Sequence, residues 1–285
     1  MTVYAALEHR FRVRCDHRGV AERLEAVLEP LRSHVGEHAD VEYELLIDRP
    51  PPGPFELWRD GDIVVRSKQA ASPYAHLLQQ INHHANRLTA GSATVLHSAA
   101  AVSRDGPVLL PAPMESGKST LVTAMVLSGW HYLTDELVVL KPATGHVRAF
   151  PRSISLDRGS WSLFPQLAPP LDAATRRRLP AQWQVPPASI GRVDLGGQAP
   201  AAIVTHRYDP LRQTALLELD PVECLRRLIR CCFSFDTHVQ RDLAVLAQAI
   251  DRTPCFELTV GTLHAARETL LDRFGGQPAA TVANS

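Results

Sequence analysis

The hydrophobic positions of the first 90 residues predict a small α+β unit. Apolar residues recur at helical spacing over residues 19–31 and 73–88, which predicts two amphipathic helices. Shorter runs predict strands at residues 3–13 and 41–47 and a hairpin that turns at Asp60-Gly61-Asp62. We therefore expect a small first domain over residues 1–90.

The pattern then changes to continuous apolar runs, which are typical of buried strands in an α/β fold. Residues 94–102 and 107–110 are two such runs, and a loop over 111–117 leads into a helix over 118–128. The later residues predict further elements of the same domain: strands at 131–134, 137–140, 201–204, 214–218 and 255–260, and helices at 221–232, 236–250 and 262–274. Proline-rich residues 165–187, which contain Arg176-Arg177-Arg178, predict a surface excursion. The second domain is expected over residues 91–274, with a disordered tail at 275–285.

Composition and charge narrow the class of protein. The chain has 30 basic and 30 acidic residues and no formal net charge, which argues against nucleic acid as a partner. Its first residues are charged rather than apolar, and no apolar run is long enough to span a bilayer, so neither a signal peptide nor a membrane partner is predicted. The five cysteines form no metal-ligand spacing, and a cytoplasmic protein with reduced thiols is expected.

One loop carries a candidate phosphate-binding pattern, in which glycines approach phosphate oxygens, a lysine reaches the β and γ phosphates, and a hydroxyl binds Mg²⁺. The segment reads Ala112-Pro113-Met114-Glu115-Ser116-Gly117-Lys118-Ser119-Thr120. It fits the last four positions of the pattern, whereas Ala112 stands at the first glycine. A predicted strand precedes the loop and a predicted helix follows, so backbone amides and the positive helix end would point to one place. The alternative is a plain strand–turn–helix with an exposed lysine.

Four further residues are candidates for the same site. Asp135-Glu136 follows Lys118 by seventeen residues at a predicted strand end, where one βαβ step returns carboxylates close to the loop. Such carboxylates suit a metal on ATP phosphates or a base for an acceptor hydroxyl. His97 lies within an apolar strand, where a buried structural role is the alternative. Arg152 offers a fork of donors that suits phosphate, or is a surface arginine.

Taken together, these motifs resemble the catalytic domain of HPr serine kinase/phosphorylase. The similarity rests on Leu96-His97-Ser98, the hairpin, Ser116-Gly117-Lys118-Ser119-Thr120, and Tyr132-Leu133-Thr134-Asp135-Glu136-Leu137. The chain is more similar still to HPr-kinase-related proteins of bacterial biosynthetic clusters for modified peptides, including lasso peptides, through Phe150-Pro151-Arg152-Ser153-Ile154-Ser155-Leu156 and later segments. The resemblance covers about residues 90 to 274, and residues 1–90 more loosely.

This resemblance implies both a fold and a set of roles. It implies the P-loop nucleotide core of the HPr kinase and phosphoenolpyruvate carboxykinase type, binding ATP and Mg²⁺. Lys118 and Ser119 match the loop lysine and the Mg²⁺ hydroxyl, His97 an active-site histidine, and Asp135 the base, with Glu136 at the second, metal-binding position. The signature loop for phosphorolysis is not found, which argues against phosphorylase activity and against HPr as the substrate.

Three functional hypotheses follow. The first is a Mg·ATP-dependent kinase for a hydroxyl, expected on serine of a small peptide or protein. The second is a small-molecule kinase of the same fold. The third is a nucleotide-binding accessory protein without transfer activity, which the departures at Ala112 and Glu115 favour. The acceptor and the oligomeric state are left open.

Overall fold

A computed structural model describes residues 2–33, 38–50 and 53–275, and shows a mixed α/β protein. The expected α/β class is confirmed. The chain forms two compact units: one contains residues 1–88 and 152–186, the other residues 89–151 and 187–285. Residues 152–186, which the sequence assigns to the second domain, cluster with the amino-terminal residues instead. The predicted tail lies outside the described residues from residue 276 onward.

The strands are numbered in chain order. They are β1 (Tyr4–Ala6), β2 (His9–Cys15), β3 (Val41–Leu46), β4 (Phe55–Arg59), β5 (Asp62–Ser67), β6 (Thr94–Ser103), β7 (Gly106–Pro111), β8 (His131–Thr134), β9 (Leu137–Leu140), β10 (Val147–Arg148), β11 (Ile154–Leu156), β12 (Trp183–Val185), β13 (Ala202–Tyr208), β14 (Ala215–Glu218) and β15 (Cys255–Val260).

The α-helices are numbered in the same way. They are α1 (Arg18–Leu28), α2 (Ala71–Ala90), α3 (Lys118–Leu127), α4 (Arg158–Trp161), α5 (Ala173–Arg178), α6 (Pro221–Cys231), α7 (Val239–Arg252) and α8 (Leu263–Phe274). Short 3₁₀ helices occupy Glu29–Leu31, Pro165–Leu167 and Pro187–Ser189. None of the helices described is long and apolar enough to cross a membrane.

The first unit is built on a five-stranded sheet in the order β1-β2-β3-β4-β5. The buried residues of α1 (Val20, Leu24, Val27 and Leu28) follow the helical spacing that predicts this helix. The proline-rich segment is a surface excursion only in part: most of residues 168–178 is exposed or half-buried, whereas β12 near its end pairs antiparallel with β11, and Trp183 and Val185 are buried. Proline-rich composition favours a loop, but here the partner strand supplies the missing backbone hydrogen bonds.

The second unit contains an eight-stranded mixed sheet in the order β10-β9-β6-β7-β13-β15-β14, and β8 also pairs with β6. Strands β7, β13 and β15 run parallel to one another, whereas β6 pairs antiparallel with β7, β8 and β9. One apolar core joins the sheet to α6 and α7 through Leu109, Ile203, Leu228 and Leu246. The carboxyl ends of the three parallel strands therefore lie along one edge, where ligands bind in open α/β sheets.

Candidate functional site

The 112–117 loop joins β7 to α3, and the buried Lys118 side chain hydrogen-bonds to its backbone. The lysine side chain is only 6% exposed, and its Nζ donates hydrogen bonds to the carbonyl oxygens of Ala112, at 2.9 Å, and Pro113, at 2.6 Å. An ammonium group has three donors, so these two contacts fix its direction and leave one donor for another acceptor. The exposed-lysine alternative is therefore wrong.

The backbone of the loop is shaped by two residues in the left-handed region. Glu115 has φ of +59° and Gly117 φ of +87°, one on each side of Ser116. Left-handed backbone costs a non-glycine residue about 1–2 kcal/mol, and such strain clusters at ligand-binding segments. Alternating backbone of this kind turns successive amides toward one concavity that suits an anion. Ala112 is not among the residues of positive φ, so no glycine is required at that position.

Ser119, in the first turn of α3, meets Asp135 beyond the end of β8. The Ser119 hydroxyl donates to Asp135 Oδ2 at 3.2 Å, and the Tyr132 hydroxyl donates to Asp135 Oδ1 at 3.2 Å. Asp135 is only 2% exposed. The carboxylate therefore lies beside the loop with both of its oxygens oriented by hydroxyl donors.

The chain bends between β8 and β9, and this bend presents the acidic pair. Strand β6 pairs with β9 over residues 94–97 and with β8 over residues 100–102. The Thr134 hydroxyl accepts from the amides of Glu136, at 3.2 Å, and Leu137, at 3.3 Å. Side-chain acceptors of this kind replace ladder hydrogen bonds at a turn. Consecutive strand residues would face opposite ways, so this interruption lets both carboxylates serve one region.

His97 on β6 lies beside Glu136. The distance from His97 Nε2 to Glu136 Oε1 is 3.8 Å, and the Phe233 ring lies 5.5 Å from the imidazole between centroids. Burial first, and then the charge of Lys118, lower the pKa of His97 to about 4 against the opposing effect of Asp135. His97 is therefore neutral near pH 7 rather than a cation.

The positive charge of Lys118 interacts with the negative charges of Asp135 and Glu136. Burial lowers the pKa of Lys118, and Glu136, Cys231 and Asp135 act in the opposite direction. Charged groups in a site of low dielectric interact more strongly than in water. A polyanion that bound here would meet the Lys118 ammonium, whose charged form Glu136 and Asp135 stabilise.

A histidine that the sequence analysis passed over also belongs to this region. His206 on β13 is 8% exposed, and its ring lies beside the backbone of Ser116 and within electrostatic reach of Lys118. Strand β13 runs parallel to β7 in the register Ile203 to Leu109 and then continues toward the loop end of the sheet. Only this pairing of strands distant in sequence reveals the position, because a single histidine in an apolar strand has no local signature.

Several arginines have hydrogen-bond or ion-pair partners of their own. Arg152 belongs to the first unit, where its guanidinium donates to Ser155 at 2.9 Å and to Gln184 at 3.3 Å. Arg207 is half-exposed and lies 3.7 Å from Glu257. In the triplet, Arg176 donates to the carbonyls of Pro169 and Leu171, and Arg178 to that of Ala174, so both cap local chain turns.

The oxygen atoms of Ser119 and Asp135 fit a magnesium ion. Mg²⁺ holds oxygen ligands at 2.0–2.1 Å in octahedral geometry, which sets neighbouring ligands about 3 Å apart. The Ser119 and Asp135 oxygens are 3.2 Å apart. Within residues 2–33, 38–50 and 53–275, no group of three or more His, Cys, Asp or Glu side chains could hold a metal alone. Mg²⁺ usually binds through one or two protein oxygens together with substrate phosphates and water.

No protein-family model matches this chain, and no curated protein matches it.

Proposed function

We propose that the chain is a Mg·ATP-dependent phosphotransferase with the phosphate-loop core of the HPr kinase and phosphoenolpyruvate carboxykinase type. The observation that supports it best is the meeting of Ser119 with Asp135 beside the buried Lys118. A phosphate-binding loop needs a lysine, a hydroxyl and a carboxylate at one place, and these three groups come from two separate elements.

The site residues divide between the donor and the acceptor. Lys118 and the amides of the 112–117 loop would bind the β and γ phosphates, and Ser119 with Asp135 would hold Mg²⁺. When bound, the ion neutralises charge on the phosphate oxygens. The base role, which the resemblance gives to Asp135, goes to Glu136 in this proposal, because both Asp135 oxygens already accept from Ser119 and Tyr132.

Glu136 would take the proton from the acceptor hydroxyl. Its carboxylate is about one-third exposed, so an acceptor could reach it, and neutral His97 lies 3.8 Å away. In the transfer step, the acceptor oxygen forms a bond to the γ phosphorus and the bond from that phosphorus to the leaving ADP oxygen breaks. The proton of the acceptor hydroxyl passes to Glu136.

We propose a hydroxyl on a peptide or small protein as the acceptor. Phe233 is 48% exposed and lies beside His97, so the acceptor side of the site carries an open aromatic surface. Loop residue Met114 is 78% exposed and adds a second apolar contact. A chain-like acceptor would cover such surface, whereas a small metabolite is usually enclosed in a pocket.

The test is phosphate transfer from γ-labelled ATP. Serine-containing peptides are compared with a panel of small hydroxyl compounds, each with wild type and with Glu136→Gln, and products are identified by mass. Labelling of a peptide by wild type but not by Glu136→Gln supports the proposal. Labelling of a small compound and of no peptide would contradict the proposed acceptor but leave the kinase assignment standing. Binding of Mg·ATP with no transfer to any acceptor or to water would favour the accessory-protein hypothesis.

A further inference from the structure

His206 is a buried polar residue next to the loop, and its hydrogen bonding is incomplete. Among the described residues, neither ring nitrogen of His206 makes a hydrogen bond of normal geometry, and both nitrogens are inaccessible. The Ser116 hydroxyl, in the loop beside it, is also buried without a partner. Two unmatched polar groups therefore lie together under the segment that leads into α3.

This arrangement is costly for a neutral imidazole. The neutral ring carries one N–H donor and one acceptor, and buried groups of this kind nearly always find partners. Burial followed by the charge of Lys118 lowers the pKa of His206 to about 4, so the ring is neutral at pH 7. An apolar side chain of similar shape would fill the space without this penalty.

The neighbour best placed to complete a hydrogen bond is the backbone of Ser116. That backbone already accepts weakly from the ring and raises the pKa of His206, against the lowering effects of burial and of Lys118. Ser116 lies between the left-handed residues Glu115 and Gly117, and rotation of the adjoining peptide planes would move it with the loop. A polyphosphate drawing the loop amides inward would produce such a rotation.

We propose that His206 is a positioning residue for this loop: with a polyphosphate bound, its ring N–H donates to the Ser116 backbone and holds the loop amides on the ligand. The inference rests on the proposed function. It assigns part of the ligand affinity to a residue that does not touch the ligand. It also accounts for a polar ring at a position where the free protein gains little from polarity.

The test separates stability from affinity. We compare wild type with His206→Phe, which removes the ring donors, with His206→Gln, which retains an N–H donor, and with His264→Phe, the same change at an exposed residue. Thermal melting without ligand and calorimetry with Mg·ATP and with inorganic tripolyphosphate are measured for each. We expect His206→Phe to melt no lower than wild type yet to bind both ligands at least about tenfold more weakly, which is about 1.4 kcal/mol. His206→Gln should recover most of the affinity, and His264→Phe should match wild type.

Three results would overturn this inference alone. They are unchanged affinity in His206→Phe, a parallel loss of melting temperature and affinity that His206→Gln does not recover, and failure of His206→Phe to fold, which would make packing the function of the position. Absence of binding of both ligands by wild type would instead remove the proposed function, and this inference with it.

Discussion

Replacing the two adjacent carboxylates one at a time separates the metal role from the base role. Asp135→Asn and Glu136→Gln each remove one negative charge and keep the size of the side chain. Asp135 contacts the Ser119 hydroxyl, whereas Glu136 lies beside His97. We therefore expect different kinetic effects from two residues that are neighbours in sequence.

The expected magnitudes follow from these contacts. Loss of a group that only supports a metal ligand costs roughly 10–100-fold in metal affinity, so Asp135→Asn should raise the Mg²⁺ concentration needed for half-maximal transfer at least that much. Removing a general base lowers the rate about 10²–10⁴-fold, which is about 3–5 kcal/mol of transition-state stabilisation. Glu136→Gln should therefore lower the maximal rate and leave the Mg²⁺ requirement unchanged.

The assay is transfer of γ-phosphate from labelled ATP over a Mg²⁺ titration, with Asp105→Asn as a control on the β6–β7 hairpin. The control should behave like wild type. A fall in maximal rate for Asp135→Asn at an unchanged Mg²⁺ requirement would return the base role to Asp135. Wild-type rates in both variants would remove both residues from the site.

Three further predictions concern single residues. His97→Asn should lower the rate of phosphate transfer with little effect on Mg·ATP affinity. Because the pKa of His97 lies near 4, His97 should not titrate between pH about 6 and 7. An inflection of the wild-type pH–rate profile in that range that this variant abolishes would contradict our account. Asp242→Ala should lower the free energy of unfolding by about 3–5 kcal/mol in urea, because this fully buried carboxylate accepts from Thr94 at 2.8 Å and Arg241 at 2.9 Å. Burial raises the pKa of Asp242, but its hydrogen bonds outweigh burial, and the pKa is lowered from 3.8. The stabilisation by Asp242 is therefore present above pH about 4 and lost as the pH falls further. An unchanged urea midpoint in Asp242→Ala would refute this prediction. Gly117→Ala should weaken Mg·ATP binding about tenfold, because left-handed backbone costs alanine about 1–2 kcal/mol. The control Gly145→Ala, also at positive φ in open space, should lower stability without changing binding. Equal Mg·ATP affinity of the two variants would contradict the loop geometry.

The sequence predicts well what depends on neighbours along the chain. The position of the loop between β7 and α3 follows from an apolar run, a glycine and a run of helix formers. The approach of Asp135 to Ser119 follows from one strand–helix–strand step. These features are local, so periodicity and short-range topology are sufficient to predict them.

The sequence does not predict what depends on distant pairing. The burial of Trp183 requires the partner strand β11, which composition alone does not indicate. The position of His206 requires the parallel pairing of β13 with β7, about ninety residues earlier. The different surroundings of Asp135 and Glu136 depend on the hydrogen bonds of Thr134, a side-chain preference that strand periodicity does not report.

Calorimetric titration of Mg·ATP into wild type, Lys118→Met and Lys141→Met tests the central claim most directly. Lys118 is buried in the loop and donates to two carbonyls, whereas Lys141 is exposed, so both variants remove one ammonium but only one removes it from the proposed site. A charge-assisted hydrogen bond contributes about 1.5–3 kcal/mol, so we expect one site in wild type and in Lys141→Met, and at least about tenfold weaker binding in a folded Lys118→Met. Equal affinity in all three proteins, or no binding by wild type, would contradict the assignment of this loop to nucleotide phosphates.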